Sequence, residues 1–400
     1  MEKPVVGVIA EYNPFHNGHA HHITRIRQEL PGAAVLCAMS GHVVQRGEVS
    51  ICRKQARTLM ALRGGVDLLL ELPAKNACAS AEGFARAGVA LLAATGLVSH
   101  ISFGSESGRL DKLEQAARLT EEPAFLGAQS IALERGVSYA SARSGVLADM
   151  YPPGETLLLG PNDMLGVEYL RAMRFLGCRM QPLVVLREGA AHDMPRATGT
   201  VASASLVRTR WLDGRSADAY VPRDTMDIWR EERSAGRAPV SLRDCEAAVL
   251  SVLRKADAAV FCALHDVSEG LEFRLASAAR RAVSLEEFYA MVKTRRYTHA
   301  RIRRIVLRAY MGLDGAPGLP PYLRVLGANG LGLSLLHKMK KTASLPILTK
   351  PASVRGLGVL AAECFDKEAR VTDLYALCYP DRSQRVGGQE WRMGPVIVDR

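Results

Sequence analysis

Glu11-Tyr12-Asn13-Pro14-Phe15-His16-Asn17-Gly18-His19-Ala20-His21-His22 decides the reading of this chain. Before it, Pro4-Val5-Val6-Gly7-Val8-Ile9-Ala10 is an apolar run of strand length, which predicts a strand buried on both faces. After it, Ile23, Ile26 and Leu30 recur at helical spacing, which predicts a helix from Ala20 to Leu30. The motif therefore falls on a strand-to-helix turn. Gly18 leaves room for a ligand beside the backbone, and a helix starting here offers amide N–H groups and its positive dipole end to an anion. His16 and His19 flank that position. A lone histidine at a helix start is more often a cap than a catalyst, but Pro14, Gly18 and two histidines in one turn favour nucleotide chemistry.

Working outward, Ala34 to Met39 is a second buried strand, followed by the polar loop Ser40-Gly41-His42-Val43-Val44-Gln45-Arg46-Gly47-Glu48. A helix over 53–63 leads to a third strand, Val66 to Leu72. An alanine-rich helix from Ser80 to Thr95 then leads to a fourth, His100 to Phe103, and Pro182 to Leu186 is a fifth. Strand and helix alternate, so the expected fold class is α/β, a Rossmann-like parallel sheet with right-handed crossovers. Ligands of such sheets bind beyond the carboxyl ends of the strands, where Gly104-Ser105-Glu106 and Arg187 fall. Gly160-Pro161-Asn162 introduces a further helix, with Asn162 as its expected cap, and Glu188 to Thr200 has the composition of a moving loop.

A second phosphate signal follows in Ala202-Ser203-Ala204-Ser205-Leu206-Val207-Arg208. Ser203 and Ser205 at a helix start, with Arg208 one turn in, suit phosphate oxygens. Alone the pattern is ordinary capping.

The charge is +11, and residues 201–400 hold 32 Lys and Arg against 22 Asp and Glu, so the second half carries nearly all of it. From Trp211 onward short amphipathic helices replace strand patterns, and two domains are expected: 1–210 for nucleotide chemistry and a mainly α-helical basic domain over 211–400. The densest basic segment holds Lys293, Arg295, Arg296, Arg301, Arg303, Arg304 and Arg308 beside Tyr297 and His299, with no acidic residue between Lys293 and Arg308. Lys338, Lys340 and Lys341 extend it. A solvated helix is the ordinary reading of such a run, but cations with an aromatic neighbour also suit RNA phosphates and bases. No run is long and apolar enough to span a membrane, and Met1-Glu2-Lys3 enters the first strand without a signal sequence, so a cytoplasmic protein is expected. Eight cysteines without a C-x-x-C pair read as reduced core thiols, not metal ligands or disulfides. The chain after Asp381 reads as loosely ordered.

Nothing in the first half supplies a covalent nucleophile, so an acceptor must attack phosphorus directly, with Mg2+ accompanying the pyrophosphate. The residues themselves do not name the acceptor. The histidine turn resembles the HxGH signature of the nucleotidyltransferase superfamily, in which both histidines stabilise the α-phosphate and a late Ser-x-[Ser/Thr]-x-x-[Arg/Lys] element neutralises the β- and γ-phosphates.

The run Glu11 to His22, with Met39-Ser40-Gly41-His42, Gln45-Arg46-Gly47-Glu48, Phe103-Gly104-Ser105-Glu106, Arg295-Arg296-Tyr297-Thr298 and Leu345-Pro346-Ile347-Leu348-Thr349-Lys350, is similar to the bacterial tRNA(Met) cytidine acetate ligases. That resemblance implies activation of acetate by ATP to acetyl-adenylate, then N4-acetylation of the wobble cytidine of elongator tRNA(Met), releasing AMP and pyrophosphate. It implies catalysis by His16 and His19. It also implies ATP contacts at Ile9, Ala10, Glu11, Tyr12, Asn13, Pro14, Phe15, Asn17, Gly18, Ala20, His21, His22, Gly104, Asn162 and Arg187, with no protein-bound metal and no protein partner. Two other readings stay open: a small-molecule nucleotidyltransferase of cofactor synthesis, and a non-catalytic tRNA-binding nucleotide sensor.

Overall fold

The structure, a computed structural model, describes residues 3–151, 159–187, 202–268 and 270–399; the expected moving loop over 188–200 lies outside them. Ten strands are described: β1 (Val5–Ala10), β2 (Ala34–Ser40), β3 (Val43–Val44), β4 (Glu48–Val49), β5 (Leu68–Leu72), β6 (His100–Ser105), β7 (Gln181–Leu186), β8 (Leu323–Ala328), β9 (Ile347–Leu348) and β10 (Val396–Ile397). The main sheet runs β10-β8-β5-β2-β1-β6-β7, with β9 on β8. All its pairs are parallel except β5 with β8, so the sheet is mixed and not purely parallel.

β1 is central because every second side chain faces a different apolar layer. Val5 and Ile9 enter one layer, with Leu36 and Leu70 from the neighbouring strands; Val6 and Val8 enter the other, with Cys37 and Leu69. The helices Ala81–Ala94 and Pro161–Phe175 cover the first face. The second is covered by α1 (Asn17–Glu29), α2 (Lys54–Arg63) and the helices Ala204–Leu212 and Arg223–Ser234, where Trp211 and Trp229 stack at 3.8 Å. The chain winds from β1 through β2 to β5 on one side, then returns to add β6 and β7 on the other. That reversal opens a crevice beyond the carboxyl ends of β1 and β6.

The second half is mainly helical, as expected, and it also contributes strands: β8, β9 and β10 extend the sheet, and Leu307, Met311 and Tyr375 share a buried layer with Leu68 and Leu70. Two expectations are corrected. The end of the chain is not loose. Lys54, inside the fold, is 2.6 Å from Glu71 and 2.7 Å from Glu390, and Thr372 donates to Glu390 at 2.7 Å. β10 then pairs with β8. Finally, Cys245 and Cys378 form a disulfide, whereas Cys37, Cys52 and Cys78 are buried thiols pushed up to about 12 by burial. Among the described residues no helix is long and apolar enough to cross a membrane.

Candidate active site

His16 is the N-cap of α1. Its Nδ1 accepts from Gly18 N–H at 3.1 Å, and His19 Nδ1 accepts from His16 N–H at 3.2 Å, a reciprocal capping box built from two imidazoles. The rings stack with centroids 3.7 Å apart. An Nδ1 that accepts places the ring proton on Nε2, so each imidazole presents one N–H donor away from the helix. Burial, with Arg187 and Arg208 adding repulsion, lowers the His16 pKa to about 3. Burial also holds His19 well below its ordinary value, reinforced by His16 and Arg187. Both are neutral donors at physiological pH.

This corrects the expected role of the helix start. Gly18 N–H is taken by His16 Nδ1, and His19 and Ala20 N–H both bond to His16 O. Those three first-turn amides are therefore engaged within the turn itself.

The remainder of the motif divides by burial. Tyr12 and Phe15 are buried, with Tyr12 edge-on to His19 at 4.8 Å, so they wall the imidazoles in place. A Cβ on Gly64 would stand 2.3 Å from the Phe15 ring, so that glycine makes the packing possible. Ile9 packs its side chain on Gly88. Pro14 is buried. Asn13 accepts from Ile51 N–H at 2.8 Å. Glu11 accepts from Gln45 N–H at 2.7 Å, and its carboxyl is raised by burial. Asn17 donates to Ala219 O at 3.0 Å. Ala10, Ala20 and His21 are half-buried, and His22 Nε2 meets Ser102 Oγ of β6 at 2.9 Å.

Distant elements bring cations to the same position. Arg187 follows β7 and lies over Gly104, where a Cβ would be 3.1 Å from its Cγ. Ser203 caps the helix Ala204–Leu212 by accepting from Leu206 N–H at 3.2 Å. Arg208, one turn in, donates to Asn13 O at 2.8 Å and Ser205 Oγ at 3.2 Å. The two signatures, far apart in sequence, thus touch directly. Asn162 is not a helix cap: Gly160 holds that position, and the Asn162 side chain donates to Glu106 instead. Glu106 accepts from Asp163 N–H at 2.8 Å while Asp163 accepts from Glu106 N–H at 3.0 Å, an exchange that locks the β6 loop to the helix Pro161–Phe175.

Arg57 escaped the sequence reading. It is fully buried on α2 and donates to Glu11 O, Ser40 O and Gly41 O, clamping the carboxyl ends of β1 and β2. An arginine amid Ala56, Met60 and Ala61 is the only signal the sequence offers. Among the described residues no group of three or more His, Cys, Asp or Glu could hold a metal ion.

The basic segment is only partly a surface. Arg308 is buried and donates to Lys75 O and Cys78 O at 3.2 Å each. Arg304 pairs with Asp266 at 3.2 Å, Arg301 donates to Asp266 O at 2.9 Å, and Arg303 pairs with Glu48 at 2.8 Å. The acidic partners missing from the local sequence come from elsewhere in the chain. Tyr297 is buried too. Arg295, Lys338, Lys340 and Lys341 are exposed, and Lys293 and Arg296 half-exposed.

The family model described as HIGH Nucleotidyl Transferase matches residues 3–390. The chain is 36% identical to the tRNA(Met) cytidine acetate ligase of Acetivibrio thermocellus over 98% of this chain and 100% of that one. It is 35% identical to that of Syntrophomonas wolfei subsp. wolfei over 98% and 99%. The chain belongs to the tRNA(Met) cytidine acetate ligase family. Its fold is similar to that of Thermotoga maritima TmcAL, apo, with a TM-score of 0.94 at 33% identity, covering 99% of this chain and 100% of that one. The T. maritima protein bound with alpha-thio ATP gives a TM-score of 0.91 at 32% identity over the same shares.

Proposed function

We propose that this chain is an ATP-dependent ligase that activates acetate to acetyl-adenylate and transfers the acetyl group to N4 of the wobble cytidine of elongator tRNA(Met) in the cytoplasm. In the first step an acetate oxygen attacks the α-phosphorus and pyrophosphate leaves with its bonding pair. In the second, the cytidine amino nitrogen attacks the acetyl carbonyl, loses a proton, and AMP departs. The observation that carries this reading is the pair of neutral imidazoles whose Nδ1 atoms are fixed by the capping box. Their Nε2–H groups donate to α-phosphate oxygens as charge builds, a preorganised contact that strengthens at the transition state. Arg187 and Arg208, with Ser203 and Ser205, take the leaving phosphates, and Mg2+ enters with ATP as part of that substrate. Residues 1–210 carry this chemistry. Residues 211–400 carry the tRNA surface, built from Lys293, Arg295, Arg296, Arg303, Lys338, Lys340 and Lys341. The test is ATP–pyrophosphate exchange: dependence on acetate supports the ligase. Dependence on a phosphorylated small molecule would make the chain a cofactor-type nucleotidyltransferase, and no exchange would make it a nucleotide sensor.

A further inference from the structure

The short hairpin of β3 and β4 stands between the triphosphate position and the basic helix His299–Met311. At the first residue of its turn, Gln45 N–H holds the Glu11 carboxylate of the histidine turn at 2.7 Å. At its tip, Gly47 has φ +76°, and a Cβ there would lie 2.3 Å from Arg304 N, so the turn rests directly on the helix backbone. Beside it, one carboxylate serves two arginines. Glu48 Oε1 is 2.8 Å from Arg303 Nη1, and Glu48 Oε2 is 3.4 Å from Arg208 Nη2. Arg208 is one of the two arginines assigned above to the leaving phosphates, and Arg303, 41% exposed, is among the cations assigned above to the tRNA surface.

We propose that Glu48 is a positioning residue that sets the order of the two substrates, an inference that rests on the ligase reading. A single negative charge between two cations favours whichever remains uncommitted. When the triphosphate draws Arg208 to itself, the longer contact yields first and the carboxylate is left to Arg303, which is then neutralised against RNA phosphate. When pyrophosphate leaves, Arg208 returns to Glu48 and Arg303 is released to bind RNA. Triphosphate and tRNA thus oppose each other through Glu48, and the opposition ends once acetyl-adenylate has formed. Because such linkage is reciprocal, tRNA weakens triphosphate binding by the same factor. The acceptor is therefore gripped after activation, and acetyl-adenylate meets its tRNA with the pyrophosphate gone.

The test measures tRNA(Met) affinity of the full-length protein at fixed ionic strength in the presence of two saturating probes. One is α,β-methylene-ATP, a triphosphate that cannot release pyrophosphate. The other is the N-acetylsulfamoyl analogue of acetyl-adenylate, which lacks the β- and γ-phosphates. The wild type is expected to bind tRNA at least about fivefold more weakly with the first, at the low end of ordinary coupling. Glu48→Gln keeps shape and removes the charge, and its ratio should fall to about one; Arg303→Gln, which removes the other end of the bridge, should do the same. Simple repulsion between two polyanions would survive both substitutions. A wild-type ratio of one, or a ratio unchanged in the variants, overturns the proposal. Acetate-dependent exchange and tRNA acetylation by the wild type are measured alongside. Their absence would overturn the ligase reading and this inference together, whereas their presence with an unchanged ratio overturns the bridge alone.

Discussion

His19 performs two tasks that substitution can separate. Its Nδ1 accepts the His16 N–H at 3.2 Å, a capping contact, and its Nε2–H is free to donate to an α-phosphate oxygen. Removing the cap costs about 1 kcal/mol of stability. Removing a donor aimed at developing charge costs about 3 kcal/mol in the barrier, roughly a 100-fold loss of rate. His19→Ala should show both effects. In His19→Asn the amide oxygen can still accept from His16 N–H, while the shorter side chain withdraws the donor. That variant should melt near the wild-type temperature and yet exchange pyrophosphate at least about tenfold more slowly, with little change in KM for ATP. The assays are acetate-dependent exchange across ATP concentrations and thermal unfolding of the same preparations. If His19→Asn keeps full turnover and loses only ATP affinity, the imidazole is a binding group and the transition-state argument is wrong.

The exposed cations should separate RNA binding from activation. Reversing Arg295, Lys338, Lys340 and Lys341 to Glu should abolish tRNA acetylation while exchange persists, and each lost phosphate contact should reduce the salt slope of tRNA binding by about 0.7 to 0.9. A parallel loss of exchange would place the docking surface elsewhere. Acid stability follows from His22, whose pKa burial, Arg187 and His21 lower to about 4. Between about 6.5 and 4 the unfolded chain binds a proton that the folded one refuses, so stability falls as pH falls, by up to about 1.4 kcal/mol per pH unit from this group. His22→Gln should flatten the pH dependence of urea unfolding in that window, and an unchanged slope would show that His22 titrates normally in the fold. Lys54→Met should destabilise by about 3 to 5 kcal/mol, because Glu71 and Glu390 are left buried without their shared cation. A loss below about 1 kcal/mol in chemical denaturation would show that the carboxylates are neutral or otherwise compensated.

What the sequence disclosed follows from how local each signal is. β1, β2 and β5 are legible because strands buried on both faces write continuous apolar runs, whereas β6 and the partly exposed edge strand β7 show only short ones. β8 is not, since Arg324 interrupts its run; that arginine is buried because Glu390, far along the chain, lies 3.5 Å away. β3 and β4 are two residues each, too short for any periodicity. The composition of the chain after Asp381 is that of a loose tail, and its order comes from Glu390 and β10, neither of which leaves a pattern. At the site, the histidine turn is self-contained and so was readable. The bonds that use up its first-turn amides were not, because they depend on the imidazole rotamers. Arg57 was invisible for a related reason: its three acceptors are carbonyls on other elements. The ion pairs of the basic segment are hidden in the same way, with Glu48 and Asp266 supplied from outside the window that holds the arginines.

The most direct test is a single reaction with purified protein, ATP, Mg2+, labelled acetate and elongator tRNA(Met), followed by nuclease digestion and nucleoside analysis. The account predicts N4-acetylcytidine at the wobble position, with AMP and pyrophosphate formed in equal amounts and acetate-dependent exchange when tRNA is omitted. Unmodified cytidine in a protein that binds both ATP and tRNA would contradict it.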